Sequence, residues 1–155
     1  MTEIDGFKSI AGDLPGFYAT NRAIVGAVSR TSVGRYYYYI FLKYREAIYH
    51  NLSNNVIDRF ELFKSRFNVH TLVLKTIKYY VGEDISDKLN KLRKMRNLCD
   101  YNMSAIVNNK HIGVAISIVQ YLESRLLSIS AGTDLDNAFV MALNDIKTYQ
   151  NKQKM

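Results

Sequence analysis

Between Ser32 and His50 the residues Val33, Tyr37, Ile40, Phe41, Tyr44 and Ile48 recur at intervals of three, four and seven, the spacing that gathers side chains on one face of an α-helix. Tyr38, Leu42 and Tyr49 lie on the opposite face, so the pattern predicts a central helix wrapped by its neighbours. Upstream, residues 17–30 (FYATNRAIVGAVSR) predict a separate helix interrupted at Gly26, preceded by a polar leader broken at DLPG, residues 13–16. Downstream, NLSNN ends the central helix. Two shorter helices are expected over 55–66 and 69–81, the second closed by Gly82. Residues 84–103 predict a further helix capped by Asp84 or Ser86, and VNNKH a loop. Ile112, Ala115, Ile116, Val119, Leu122 and Leu126 then mark an amphipathic helix that stops at SAGTD. Leu135, Phe139, Leu143 and Ile146 mark the last. Residues 1–14 and 150–155 are expected to be a flexible leader and tail. No repeat or linker divides the chain. The expected architecture is all-α: one domain over residues 1–155, an antiparallel bundle of four core helices with short accessory ones.

Composition agrees with that reading. A chain of 155 residues buries about two thirds of the surface of its unfolded form without a disulfide or metal. One proline and eight glycines leave room for long helices. The net charge of +7 favours anionic partners such as RNA, DNA or an acidic protein without locating a site. A single cysteine excludes an internal disulfide and a cysteine-built metal site, and suits a reducing compartment. The N-terminus has early acidic residues and no apolar core, unlike a signal peptide. No apolar run reaches the length of about 18 residues that a membrane span needs. A soluble, cytoplasmic protein without membrane contact is expected.

One position breaks the hydrophobic pattern. With Ile85 as the origin of a wheel turning about 100° per residue, Leu89, Leu92, Cys99 and Met103 fall within about 40° of it, and Arg96 falls among them. Asp100 follows one turn on, and Arg93, Asn97 and Tyr101 continue around the cylinder. A charged group therefore points toward a packed surface. It is expected to be substantially buried and to meet a carboxylate, most simply Asp100, because an unmatched buried charge costs several kcal/mol.

Two segments together carry a family resemblance. GRYYYYIF supplies Arg35, Tyr37, Tyr38 and Phe41, and RNLCDY supplies Arg96, Asn97, Asp100 and Tyr101. In order and spacing they resemble the small HEPN-type helical proteins of bacteria and archaea whose second helix carries S-R-x-Y-Y-x-x-F and whose later helix carries R-N-x-x-D-Y. His70, starting the intervening segment, also suits the pattern. The resemblance covers residues 27–130. In the family A-V-S-R runs straight into the tyrosine pair, whereas here AVSR ends at Arg30 and the tyrosines follow Arg35, so either arginine is open as the equivalent. Ribonuclease members of the wider group use R-x(4-6)-H with the histidine facing its copy across a dimer interface. Tyr101 stands where that histidine belongs here, and the next histidine is His111.

The resemblance implies an HEPN-like bundle and an RNA-directed role in a stress, defence or toxin–antitoxin system, as a homodimer. If RNA is cleaved, a 2'-hydroxyl attacks the adjacent phosphate without a metal, with Arg96 stabilising charge and Asn97 positioning it. The absent histidine favours binding over catalysis. Arg93, Lys94, Arg96 and Asn97 are the expected nucleic-acid contacts, Arg96, Asn97 and Tyr101 the expected catalytic set, and Asp100, Arg35, Tyr37 and Tyr38 the orienting residues. Arg35 or Arg30 is expected to approach the Asp100 helix. The alternative role is a non-catalytic interaction module paired with a nucleotidyltransferase-like protein.

Each residue also has a purely structural reading. Arg96 either fixes helix packing or grips phosphate with its planar fork, and both uses are compatible. Tyrosine, with an ordinary pKa near 10, is a poor general base at neutral pH, so Tyr101 reads first as a packing residue. The tyrosines at 36–39 point around the whole helix, which suits core packing better than a base-stacking platform. Cys99 lies on the apolar stripe as a small hydrophobe, with Arg96 near enough to lower its pKa. His50, His70 and His111 lack ligand spacing. No cofactor or metal motif is present.

Overall fold

The computed structural model describes residues 3–17, 22–61, 68–102 and 104–152. Among the described residues there are helices and no strand. The helices are α1 (Glu3–Phe17), α2 (Arg22–Asn51), α3 (Asn54–Glu61), α4 (Val69–Tyr80), α5 (Glu83–Tyr101), α6 (Asn109–Leu126) and α7 (Thr133–Lys152). The chain gathers into two compact units, residues 1–43 with 88–124 and residues 44–87 with 125–155.

In the first unit α2 is buried on several sides. Val33, Tyr36, Tyr37, Tyr39, Ile40 and Phe41 are all buried, more of the circumference than one amphipathic stripe provides, as expected for a helix that its neighbours surround. Leu89 and Leu92 of α5 and Ala115, Val119 and Leu122 of α6 complete this core. Each large side chain so removed from water contributes about 1.5–3 kcal/mol. On α6 the inward residue is Ile118, whereas Ile116 is half-buried.

The second unit rests on α4 against α7. Leu72, Val73 and Ile77 face inward from α4, and Leu135, Phe139, Leu143 and Ile146 from α7, with Ala138 and Ala142 beside them. Lys75 Nζ lies 2.8 Å from Asp145 Oδ2, tying the exposed edges of the two helices. Asn68 caps α4, its Oδ1 accepting from the Thr71 N–H at 3.2 Å. At the other end Gly82, with φ of 129°, donates its N–H to Ile77 O at 3.0 Å.

Four local expectations are corrected. The break expected between residues 30 and 32, and at Gly26, does not occur: α2 runs unbroken for 30 residues, because the helical register of 22–31 continues that of 32–51. The expected polar leader is helical as α1, passing through Pro15. It is held by tertiary contacts described below that a local pattern cannot reveal. Residues 150–152, expected in the tail, belong to α7. Helix α5 starts at Glu83, ahead of both expected caps, with Glu83 and Asp84 placing acid charge in its first turn. The Ser86 hydroxyl is taken by Leu74 O at 2.9 Å. Residues 62–66 of the expected 55–66 helix, and Met103 of the expected stripe, lie outside the described residues.

Gly82 offers a clean test of the α4–α5 turn. A Cβ there meets nothing within 4 Å, so Gly82→Ala isolates backbone strain. It is expected to cost about 1–3 kcal/mol, read as a lower urea midpoint with unchanged slope.

Candidate functional site

The site grows from the Arg96 side chain. Its place on α5 is inward, with 18% of the side chain exposed, and Nε lies 2.7 Å from Asp100 Oδ2 one turn on. That contact is a close charge pair rather than a well-directed hydrogen bond, because the Nε–H does not aim along it. Nη2 donates to the Tyr38 hydroxyl at 2.8 Å. Nη1 donates to Asn97 Oδ1 at 3.1 Å and, at the long limit of 3.5 Å, to the Tyr101 hydroxyl. The guanidinium carbon is 5.2 Å from the Tyr38 ring and 5.4 Å from the Tyr101 ring, within range of the attraction between a cation and an aromatic quadrupole. Burial disfavours the cation, but the Tyr101 hydroxyl and the Asp100 charge outweigh it and raise its pKa above the ordinary value.

The tyrosines of α2 separate by direction. Tyr37 is buried, stacked on Phe41 with ring centres 5.7 Å apart, and desolvation pushes its phenol up to about 12 against the opposing charge of Arg93. Tyr38, half-buried, faces Arg96 and lies 6.4 Å from the Phe7 ring of α1. Phe7, Thr31, Gly34, Arg35, Tyr38 and Asp100 line an open depression of about 440 Å³. Arg35 sits over Phe7 with its guanidinium carbon 5.0 Å from the ring centre. Gly34 keeps the floor low: a Cβ there would come 3.9 Å from Asp100 Oδ1.

Arg30 has a different role. Nη1 donates to Cys99 O at 2.8 Å and to Asn102 O at 2.9 Å, and Nη2 donates to Ala105 O. These carbonyls belong to the last turn of α5 and the loop after it, where oxygens lack intrahelical donors and the helix dipole is negative. The planar fork of guanidinium serves several oxygens at once, as an ammonium does not. Arg30 thus fixes the end of α5, while Arg35 faces the depression that Asp100 helps to line.

The structure therefore brings together Arg96, Asn97, Asp100 and Tyr101 with Tyr38 and Arg35 around one surface. Arg93 and Lys94 lie one turn back on α5, Arg93 half-buried and Lys94 exposed. Arg93, Asn97 and Tyr101 share a strip at i, i+4 and i+8. Tyr101, expected to pack, is 75% exposed, because it stands at the end of α5 beyond the covered stripe. Cys99 is buried, and its neighbouring cation is Arg30 rather than Arg96. Desolvation nonetheless raises its pKa, outweighing the lowering by Arg30. His111 Nδ1 lies 3.1 Å from Asn108 Oδ1 at the start of α6. Among the described residues no cluster of histidine, cysteine and carboxylate could hold a metal ion.

Phe7 and Gly34 were not legible as site residues. Phe7 lies in a segment whose pattern gave no helix, and Gly34 matters only through a distance to a residue far along the chain. The AVSR stretch did point to Arg30, but not to the carbonyls it meets.

No family model matches the chain, and no solved structure matches it. The chain is similar to an uncharacterized protein of Methanocaldococcus jannaschii, 27% identical over 160 residues that take in 96% of this chain and 88% of the relative. Among the described residues no helix is long and apolar enough to cross a membrane.

Three outcomes follow from this geometry. Arg30→Ala should lose about 2–4 kcal/mol of stability, since a hydrogen bond to a charged group contributes about 1.5–3 kcal/mol net of water and those here are partly open to solvent; Arg30→Lys should recover only part, both measured by urea unfolding. The Cys99 thiol should resist a thiol reagent at neutral pH until denaturant is added. The buried Tyr37 phenol has its pKa raised by folding, so its stability contribution is complete below about pH 10 and falls away toward about 12. Alkaline unfolding of Tyr37→Phe should therefore begin at higher pH than that of the parent chain.

Proposed function

We propose that this chain is an HEPN-like, cytoplasmic RNA-binding protein of a stress, defence or toxin–antitoxin system that acts as a homodimer, with at most weak metal-independent cleavage. The observation that carries the reading is the state of the Arg96 fork. Asp100 and Tyr38 hold two of its nitrogens from the protein side, leaving Nη1 toward Asn97 and the exposed Tyr101 ring. A phosphate oxygen arriving from solvent can replace the weaker Asn97 and Tyr101 contacts at Nη1 without disturbing the other two nitrogens. Tyr101 then offers a ring face to a base, a contribution of about 1–3 kcal/mol for single-stranded nucleic acid. Arg93 and Lys94 extend the positive strip along the phosphate path, and the net charge of +7 supplies attraction at longer range.

Efficient cleavage asks for a group that takes the 2'-hydroxyl proton near neutral pH. The resemblance puts a histidine where Tyr101 stands, and a tyrosine in that place supplies no imidazole to take the proton, which favours a site that holds RNA over one that cuts it. A second reading, docking of a nucleotidyltransferase-like protein, draws support from Leu98 and Ile106, exposed near the same end of α5.

Labelled single-stranded RNA, followed by fluorescence anisotropy, should bind with an affinity that falls steeply as salt rises. Lys94→Ala and Arg93→Ala should each lower the log–log salt slope by about 0.7 while the protein stays folded. Tyr101→Ala should weaken binding at every salt concentration with the slope unchanged. Light scattering should give the mass of a dimer, and the RNA should remain intact on a gel. Rapid metal-independent cleavage lost in Asn97→Ala would reverse the preference for binding, and binding indifferent to salt would remove the RNA reading.

A further inference from the structure

Helix α1 has little of its own to keep it helical. Its fifteen residues include Gly6, Gly12 and Gly16 and run through Pro15. Each glycine disfavours a helix about fivefold relative to alanine, and an interior proline far more. Pro15 also has no N–H to give to the preceding turn. Of the described side chains of α1 only Ile4 and Ala11 are fully buried.

Its further contacts among the described residues, within the first unit, include two ion pairs and one ring. Asp5 Oδ1 lies 2.9 Å from Lys43 Nζ of α2, and Lys8 Nζ lies 2.6 Å from Glu123 Oε1 of α6. Glu123 also accepts the Tyr39 hydroxyl at 2.5 Å. Both lysines lie by the Tyr39 ring, at 5.2 and 5.9 Å from its centre. All four ionic side chains reach solvent, and exposed pairs of this kind are screened by salt and shift an equilibrium only a few-fold each. The ring is Phe7, which covers one face of Arg35 and sits beside Tyr38, whose hydroxyl holds Arg96.

We propose that α1 is a releasable strap over the Arg35–Tyr38 edge of the candidate site. Docked, its Phe7 ring occupies the face of Arg35; undocked, Arg35 and Tyr38 are open to a phosphate chain. That the strap regulates nucleic acid rests on the function proposed above, whereas the docking equilibrium does not. A polyanion competes with Asp5 and Glu123 for Lys43 and Lys8, so binding and opening favour each other by linkage.

The chain has no tryptophan, so Phe7→Trp installs a unique reporter on Arg35. Without RNA, its emission should shift to the red and its quenching by a soluble quencher should rise with salt. Adding Gly6→Ala, whose Cβ meets nothing within 4 Å, should raise the ratio of docked to open about fivefold and move the transition to higher salt; adding Lys8→Ala should move it lower. In the unmodified chain, amide exchange over residues 4–14 should outpace that of α2, quicken with salt and slow in Gly6→Ala, which keeps the test valid if tryptophan disturbs the fold. Emission and exchange insensitive to salt and to both substitutions would overturn the strap whatever binds.

At one fixed salt concentration, single-stranded RNA should bind a few-fold more weakly to Gly6→Ala and more tightly to Lys8→Ala, the latter against the loss of a positive charge. A strap that opens in fluorescence while no variant binds RNA would leave the strap standing and sink the nucleic-acid reading. Opening with equal RNA affinity in both variants would overturn its control of the site.

Discussion

The guanidinium of Arg96 is the constraint around which the first unit is organised. It sits on the stripe of α5 that also carries Leu89, Leu92 and Cys99, where an ionised group that left water without partners would cost several kcal/mol. Asp100 meets it from the same helix, Tyr38 from α2. Two features follow: Tyr38 turns outward from the buried Tyr37, and its hydroxyl on Arg96 ties α2 to α5. The charge pair is partly open to solvent, which makes it cheaper to keep than a sealed one and accessible to an anion.

Arg30 solves a separate problem on the same helix. The last carbonyls of α5 and its loop need donors, and one planar cation from α2 supplies them. Arg96, Asp100 and Tyr101 occupy the final turn and a half before that anchor, so the residues of the candidate site stand on a braced helix end. Rigidity below and exposure above suit a surface that receives a ligand, since ordering such side chains at the moment of binding would consume affinity.

Arg30 and Arg35 of α2 stand about one and a half turns apart and divide their work. Arg30 points to backbone oxygen and is committed to structure. Arg35 points to the Phe7 ring, a weaker neighbour that a phosphate can outbid. The contrast explains why the candidate site has a firm side along α5 and a yielding side along α1, where glycine and proline leave helix formation to tertiary contact.

The sequence by itself determined the helical class and most of the core. Periodicity placed Val33, Tyr37, Ile40 and Phe41 inward because a helix repeats every 3.6 residues whatever it packs against, and Gly82 announced the end of α4 because few other residues accept its backbone angle. It also isolated Arg96 and Asp100, since a charge on an apolar stripe is visible on a wheel and its partner lies one turn away. Tertiary structure alone decided the rest. That residues 3–17 form a helix at all depended on neighbours that local propensity does not contain. The Tyr38 hydroxyl on Arg96, the carbonyls chosen by Arg30 and the seat of Phe7 on Arg35 each join residues about 28 to 75 positions apart. Such pairs are set by how helices cross, and a one-dimensional pattern carries spacing along a helix but not the angle and register at which two of them meet.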